Sequence, residues 1–439
     1  MSKSISVRTV TNTILLASLM TYLNATSVVV RAQSKSAPAV AASSKSATVV
    51  AETDAVLRET SEIRDLSILR PVQSGAQSRA EIERMIIKNL NEETTPAELR
   101  ASELTLKKLG LVPADFALRS FLIKLLTEQV AGYYDPKTRH FYLADWIDLD
   151  GQKPVMAHEL THALQDQHFN LRRFEKWPKG DSDAELAAQS LVEGDATLTM
   201  SMYIARNPLR ALAFIKSLGA GSAKTEEIDR APRALRESLL FPYQQGTQWV
   251  TQVYKRDGWA GVSKAFTELP QSTEQILHVE KYYAHKTPVK INLPDISASL
   301  GKSWKRIDYD VNGEWSYYLI LDEYLKAEAE SKRATAGWAG DRYAVYEGAR
   351  PSEILITQLS EWDTARDALE FFDAYAKRTT RRYKVSPLAQ NAQKTSEELT
   401  WRTSEGTVLI ERRASRVLII EGLPDKIDVQ EVKKRLWPR

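Results

Sequence analysis

The 439-residue chain has no cysteine and only six histidines. The first absence excludes disulfides, a thiol nucleophile and a bacterial lipid anchor. Neither sign of charge dominates: 60 Lys and Arg against 57 Asp and Glu leave a formal net charge of +3. That is too little to imply nucleic acid as a partner, and no compact basic patch interleaved with aromatics stands out. The basic run Lys377 to Arg382 reads as a solvated helix end. Long apolar runs are missing too. The strongest one, Ile14 to Leu23, falls short of the roughly 20 residues that a membrane-spanning helix needs.

That short run has a purpose of its own. Lys3 and Arg8 precede it, and Val30-Arg31-Ala32 stands before Gln33, which is the layout of a secretory signal peptide cleaved after Ala32. A secreted or periplasmic protein with no stable membrane insertion after cleavage is expected. Residues 33–55, rich in Ala, Ser and Lys, read as a flexible linker. Beyond them, 43% hydrophobic and 27% charged residues describe an ordinary folded chain of two or three domains.

Two of the scarce histidines stand in His158-Glu159-Leu160-Thr161-His162. Residues four apart share one face of a helix, so both imidazoles aim at a single point that can hold a zinc ion. Glu159, one position past the first histidine, is placed to reach a water beside the ion and is the candidate general base. The helix is expected from Val155 to about Gln167, with Asp148 or Asp150 as upstream capping residues. A catalytic zinc usually has three protein ligands. Glu193 is the preferred third, in a second helical pattern from Asp183 to about Ile204. Asp195, Glu185 and Asp166 compete for that place. Asp166 or Asp195 also suits orientation of a histidine through its other ring nitrogen.

These motifs, together with Glu193-Gly194-Asp195-Ala196, resemble the gluzincin branch of the HExxH metallopeptidases. The resemblance covers about residues 115 to 205, and less specifically extends to about 290. It implies an α+β, zincin-like fold: a mainly helical catalytic domain over residues 56–290, with a small sheet whose edge strand receives the substrate. The segment before the first motif fits. Val130 to Tyr134, a turn at Asp135-Pro136-Lys137-Thr138, and His140 to Leu143 read as a hairpin. Helices are expected at Arg79–Asn91, Pro96–Leu109 and Phe116–Val130, ahead of it. The gap between the two ligand helices is longer than in the best-known members and leaves room for an insertion at Asn170 to Ser182.

Downstream, helices are expected over Arg233–Lys255, broken at Phe241-Pro242-Tyr243, and over Gly261–Leu269. Ser272 or Thr273 caps a short helix ending at His278, the candidate donor to the developing oxyanion. Tyr133, Tyr134 and Tyr282 are further candidates. From 291 to 439 a smaller α+β domain is expected. Its strand-like runs are Tyr317–Leu321, Arg342–Tyr346, Ile354–Leu359, Thr407–Arg412 and Arg416–Glu421. A helix, Trp362–Arg378, follows the third run and is capped by Asp363 and Thr364, and Gly337 to Arg342 reads as a loop. The function expected is zinc-dependent hydrolysis of peptide bonds, on a peptide or protein substrate. Two alternatives stand beside it: an inert metal-stabilised binding module of the cell envelope, and a zinc amidase acting on a non-protein amide.

Overall fold

The computed structural model describes residues 40–146, 149–174, 177–219, 226–388 and 397–437. The expected signal peptide lies outside them. No helix of the described residues is long and apolar enough to cross a membrane. The architecture is mixed α+β.

The chain begins with α1 (Val40–Arg64), which corrects the expectation of a flexible linker over 33–55. Residues 33–39 are outside the described set, but from Val40 onward the segment is helical. Ala is the best helix former, and Val49, Val56, Leu57 and Ile63 are buried in one apolar cluster with Leu160 and Leu164. Tertiary burial thus overrides a composition that reads as flexible.

After β1 (Gln73–Gln77) come α2 (Arg79–Glu93), α3 (Pro96–Leu109) and α4 (Leu118–Gln129), as the sequence led us to expect. Helix α3 shows why. Thr95 accepts from the Glu98 amide at 3.2 Å while Glu98 takes the Thr95 amide at 2.8 Å, a reciprocal cap. Gly110 closes its far end at φ 73°, where a side chain would be strained. The hairpin follows as β2 (Gly132–Asp135) and β3 (His140–Ala144), antiparallel, with β1 parallel to β3 on the other side. The sheet order β1-β3-β2 leaves β2 at an edge.

Next come α5 (Leu149–Phe169), a single 3-10 turn at Leu171–Arg173, and α6 (Ser182–Ala205). The cap of α6 is Asp181, whose side chain accepts from the Ala184 amide at 3.3 Å. Of the two capping residues expected for α5, Asp148 is outside the described residues and Asp150 lies inside the helix rather than capping it. Then α7 (Pro208–Gly219), α8 (Glu226–Arg230) and α9 (Arg233–Ala265) complete the helical half. The expected break at Pro242 does not occur. Helix α9 runs through the proline and kinks instead at Gly258, φ 63° and ψ −165°, a conformation open to glycine. Packing against α6 holds the turns around Pro242 in place.

The remainder is α10 (Thr273–Leu277), α11 (Val279–Tyr283), α12 (Ser297–Leu300), β4 (Lys305–Asp310), α13 (Gly313–Leu325), α14 (Glu328–Thr335), β5 (Trp338–Glu347), β6 (Ile354–Trp362), α15 (Ala365–Tyr383), β7 (Glu397–Thr403), β8 (Gly406–Arg413), β9 (Arg416–Leu423) and α16 (Val429–Leu436). The strands form one antiparallel sheet, ordered β4-β5-β6-β9-β8-β7. Three expectations change here. Tyr317–Leu321 is the middle of α13, because a short, wholly buried apolar run has no periodicity to distinguish strand from helix. Most of Gly337–Arg342 is the start of β5. The run Lys377–Arg382 is only half solvated. Arg378 is fully buried on the inner face of α15, its guanidinium 3.0 Å from Glu421, and Arg382 joins the same carboxylate.

The main apolar core draws Leu191 and Trp249 from the helical half together with Trp315, Trp338 and Ile419 from beyond residue 290. A smaller cluster carries Leu160 and Leu164 of α5 against α1 and the hairpin residues Tyr134 and Phe141.

Candidate metal centre

Helix α5 carries His158, Glu159 and His162 on its middle turns. Val155, Met156, Leu160 and Leu164, all with 1% or less exposure, bury the helix around them. The two histidines are therefore forced into the protein interior, and Glu193 on α6 meets them there. His158 Nε2 and His162 Nε2 are 3.1 Å apart. Glu193 Oε2 lies 3.3 Å from the first and 3.4 Å from the second. Those three spacings match the edge of a tetrahedron about a cation with ligand distances near 2.0–2.1 Å, which is about 3.3–3.4 Å. Glu193 Oε2 is buried and makes no hydrogen bond, and neither does His158 Nδ1. A buried carboxylate oxygen 3.3–3.4 Å from two imidazole nitrogens completes a donor set suited to a divalent ion.

Electrostatics agree with the geometry. Burial alone raises the Glu193 carboxyl, but the two imidazoles beside it outweigh burial and hold it down to about 2. Burial disfavours the His162 imidazolium, yet Glu193 and then Glu159 draw its proton affinity up to about 9. Glu159 itself is pushed above its ordinary value, chiefly by desolvation.

The other expected residues fall into place around this centre. Glu159 Oε2 accepts the Tyr134 backbone N–H at 2.9 Å, which ties the candidate base to strand β2. Of the rival third ligands, Asp166 accepts from the Tyr134 hydroxyl at 3.0 Å and from the Leu171 amide at 3.1 Å. Asp195 accepts from Arg64. Glu185 is eight residues before Glu193 on α6, about 12 Å along the axis. None of the three joins the triad. Asp195 does act behind a histidine, but through Gln165: His162 Nδ1 is 2.8 Å from Gln165 Oε1, and Gln165 Nε2 donates to Asp195 at 2.9 Å.

His278 is not where an oxyanion donor is needed. Ser272 caps α10 as expected, and His278 ends it with Nε2 2.9 Å from Glu314. Thr273 of that helix bonds Asp183, at the start of α6. Ten residues of helix, about 15 Å, separate Asp183 from Glu193. The hydroxyls of Tyr133 and Tyr282 are turned to groups outside the triad, Gln77 and the Glu268 carbonyl.

Tyr243 stands beside the triad instead. It is buried on α9, its hydroxyl is hydrogen-bonded to Glu193, and its ring centre is 6.3 Å from that of His158. Desolvation, then Glu193 and Glu159, push its pKa well above the ordinary tyrosine value, so it stays a donor. The approach of α9 that delivers it depends on two glycines. A Cβ on Gly194 would lie 2.3 Å from the Gly246 carbonyl carbon, and one on Gly246 would lie 2.2 Å from the Ser190 carbonyl oxygen.

Residues 302–433 match a domain of unknown function, DUF8575. The match spans β4 and most of α16, and His158, Glu159, His162, Glu193 and Tyr243 all lie outside it. No curated protein and no solved structure matches the chain.

Proposed function

We propose that the chain is a zinc-dependent peptide hydrolase of gluzincin type that works outside the cytoplasm. The observation that carries this reading is the triangle of 3.1, 3.3 and 3.4 Å between His158, His162 and Glu193, with the Glu159 carboxylate next to it. His158, His162 and Glu193 would hold the ion, which when bound supplies Lewis acidity toward water and a substrate carbonyl.

Every other role falls to side chains of this chain. Glu159 Oε2 is held by the Tyr134 N–H, so Oε1 takes the proton of the attacking water. The same carboxyl returns that proton to the leaving amine. The Tyr243 hydroxyl, which rests on Glu193, would turn from it to donate to the oxygen that becomes negative as the carbonyl turns tetrahedral. Strand β2 supports an extended substrate. Ala131 and Ala144 form a hydrogen-bonded pair, so the alternation of an antiparallel ladder turns the N–H and C=O of Gly132 and Tyr134 toward the open edge. Glu159 occupies one of these four groups. The Tyr134 carbonyl and both groups of Gly132 remain for a peptide to pair with.

The test is Glu159→Gln. It should retain one zinc per chain in a metal assay while cleavage of a peptide library falls by a factor of about 10²–10⁴. Chelator should stop the wild-type digest. Undiminished cleavage by the Gln variant would remove Glu159 from the mechanism, and a wild type that binds zinc but digests nothing would leave an inert binding module.

A further inference from the structure

Four fully or nearly fully buried side chains connect the metal centre to the amino-terminal helix, and each fixes the polarity of the next. Arg64 offers only donors. Its Nε donates to Asp195 Oδ1 at 2.5 Å, its terminal nitrogens reach Ser263 Oγ at 3.2 Å, and its guanidinium lies 4.6 Å above the centre of the Trp259 ring. Asp195 therefore turns its second oxygen to Gln165, whose Nε2 donates to it at 2.9 Å and to the Val192 carbonyl at 3.0 Å. A reversed amide would set Gln165 Oε1 against two acceptors. The oxygen is thus left facing His162 Nδ1 at 2.8 Å. An acceptor at that place requires the proton on Nδ1, which leaves Nε2 as the lone-pair nitrogen on the side of His158 and Glu193.

We infer that Arg64, acting through Asp195 and Gln165, sets which nitrogen of His162 carries the proton, and so is a positioning residue of the metal centre. This rests on the reading of the triad as metal ligands. Nothing comparable backs the other histidine: His158 Nδ1 is buried without a hydrogen-bond partner. Preorganisation of the pair falls on His162 and on Arg64 at the end of α1.

The polarity chain makes a prediction that a packing role does not. In Asp195→Asn, the donors of Arg64 capture the amide oxygen and turn Nδ2 toward Gln165. Gln165 then reverses to accept from that Nδ2, giving up its bond to the Val192 carbonyl, presents Nε2 to His162 Nδ1, and drives the proton to Nε2. Zinc affinity should fall 10–100-fold. Adding Arg64→Met releases the new amide at position 195, which can show its oxygen to Gln165 again, and the double variant should recover at least tenfold of the lost affinity. In a Gln165→Met background, adding Arg64→Met to Asp195→Asn should restore nothing.

Full-length protein is titrated with zinc against a chelator. The imidazole ¹⁵N spectrum of the metal-free chain, recorded at alkaline pH where His162 is neutral, reads the tautomer with no ion present. Wild type and the double variant should show Nδ1–H, and Asp195→Asn should show Nε2–H. The relay is overturned if Asp195→Asn keeps the wild-type tautomer, if the second substitution fails to restore it, or if rescue persists with Met at 165. A wild type that bound no zinc would instead sink the proposed function, with the relay still decided by the spectrum.

Discussion

Gly246→Ala asks how much of the site depends on the close crossing of α6 and α9. An added Cβ would sit 2.2 Å from the Ser190 carbonyl oxygen, where ordinary contact begins near 3.4 Å, so the shortfall is 1.2 Å. Its neighbours there are backbone atoms of another helix, which cannot rotate away. The helices must part by about an ångström. Overpacking of this kind costs about 1–3 kcal/mol, and the better helix propensity of Ala offsets about 1 kcal/mol of it. The net loss of stability is therefore small, about 0–2 kcal/mol. The functional loss is not. Tyr243 lies one turn before Gly246 on α9, while both histidines and Glu193 belong to α5 and α6. Separation of α9 from α6 lifts the Tyr243 hydroxyl off the site and leaves the ligand triangle closed. A misplacement of 1 Å costs about 10² in rate. Denaturant melts, zinc titration and peptide turnover on one preparation should show near-native stability, zinc affinity within about tenfold, and kcat down about a hundredfold. Native turnover would refute the close crossing, and a collapse of zinc affinity with native turnover per bound ion would refute the placing of Tyr243 as donor.

Zinc binding should release protons and tighten with pH. The metal-free His162 holds its proton up to about pH 9, so calorimetry near pH 7 in buffers of differing ionisation heat should find at least one proton expelled per ion, that of His162, with a second from any Glu159 that burial keeps protonated; none would contradict the His162–Glu193 pair. The same pair sets a stability window for the metal-free chain. Its raised histidine stabilises fully below the ordinary value near 6.5 and loses that contribution as pH climbs through about 9, so the melting temperature should fall over that range. Arg378→Met should destabilise the chain by about 3 kcal/mol, the lower end for a broken buried pair because Arg382 still reaches Glu421. Two cations, Arg378 then Arg382, outweigh burial and hold Glu421 down to about 2, so the deficit should shrink as pH drops below about 4.5, and zinc affinity should not move.

The site was legible where its chemistry is local and illegible where it is tertiary. His158, Glu159 and His162 share one helix turn, and Glu193 lies in a second helix with a strong apolar pattern, so sequence spacing was enough to bring them together. Gln165 stands three residues past His162 on the same face, and that spacing could have exposed it as the histidine's partner. Tyr243 was hidden by Pro242 beside it, which reads as a helix end. Arg64 is 131 residues from Asp195, and no local pattern points from one to the other. His278 has the right residue type at a plausible helix end. What it lacks is position, and position depends on α10 docking at the start of α6. Of the six strands in the antiparallel sheet beyond residue 304, four were legible. Strands β5, β6, β8 and β9 were expected in whole or part, whereas β4 and β7, like β1 of the smaller sheet, carry too few buried apolar residues to announce themselves.

The charges of the centre explain why such a site can be assembled before an ion arrives. Two buried carboxylates, Glu159 and Glu193, stand beside two imidazoles with no lysine or arginine among the groups that shift them. Left anionic without a partner, Glu193 would oppose folding strongly. The proton that His162 keeps supplies the missing charge, and Glu159, pushed up by burial, is the easier of the two carboxylates to neutralise. A divalent ion replaces that proton and adds one more unit of charge, matched by the ionised Glu159. On the proposed reading the metal-free and loaded centres are both near neutrality, so the chain should fold without added metal. The apolar clusters around α5 and α6 hold the triad, and an ion would exchange with a proton at a site already shaped for it.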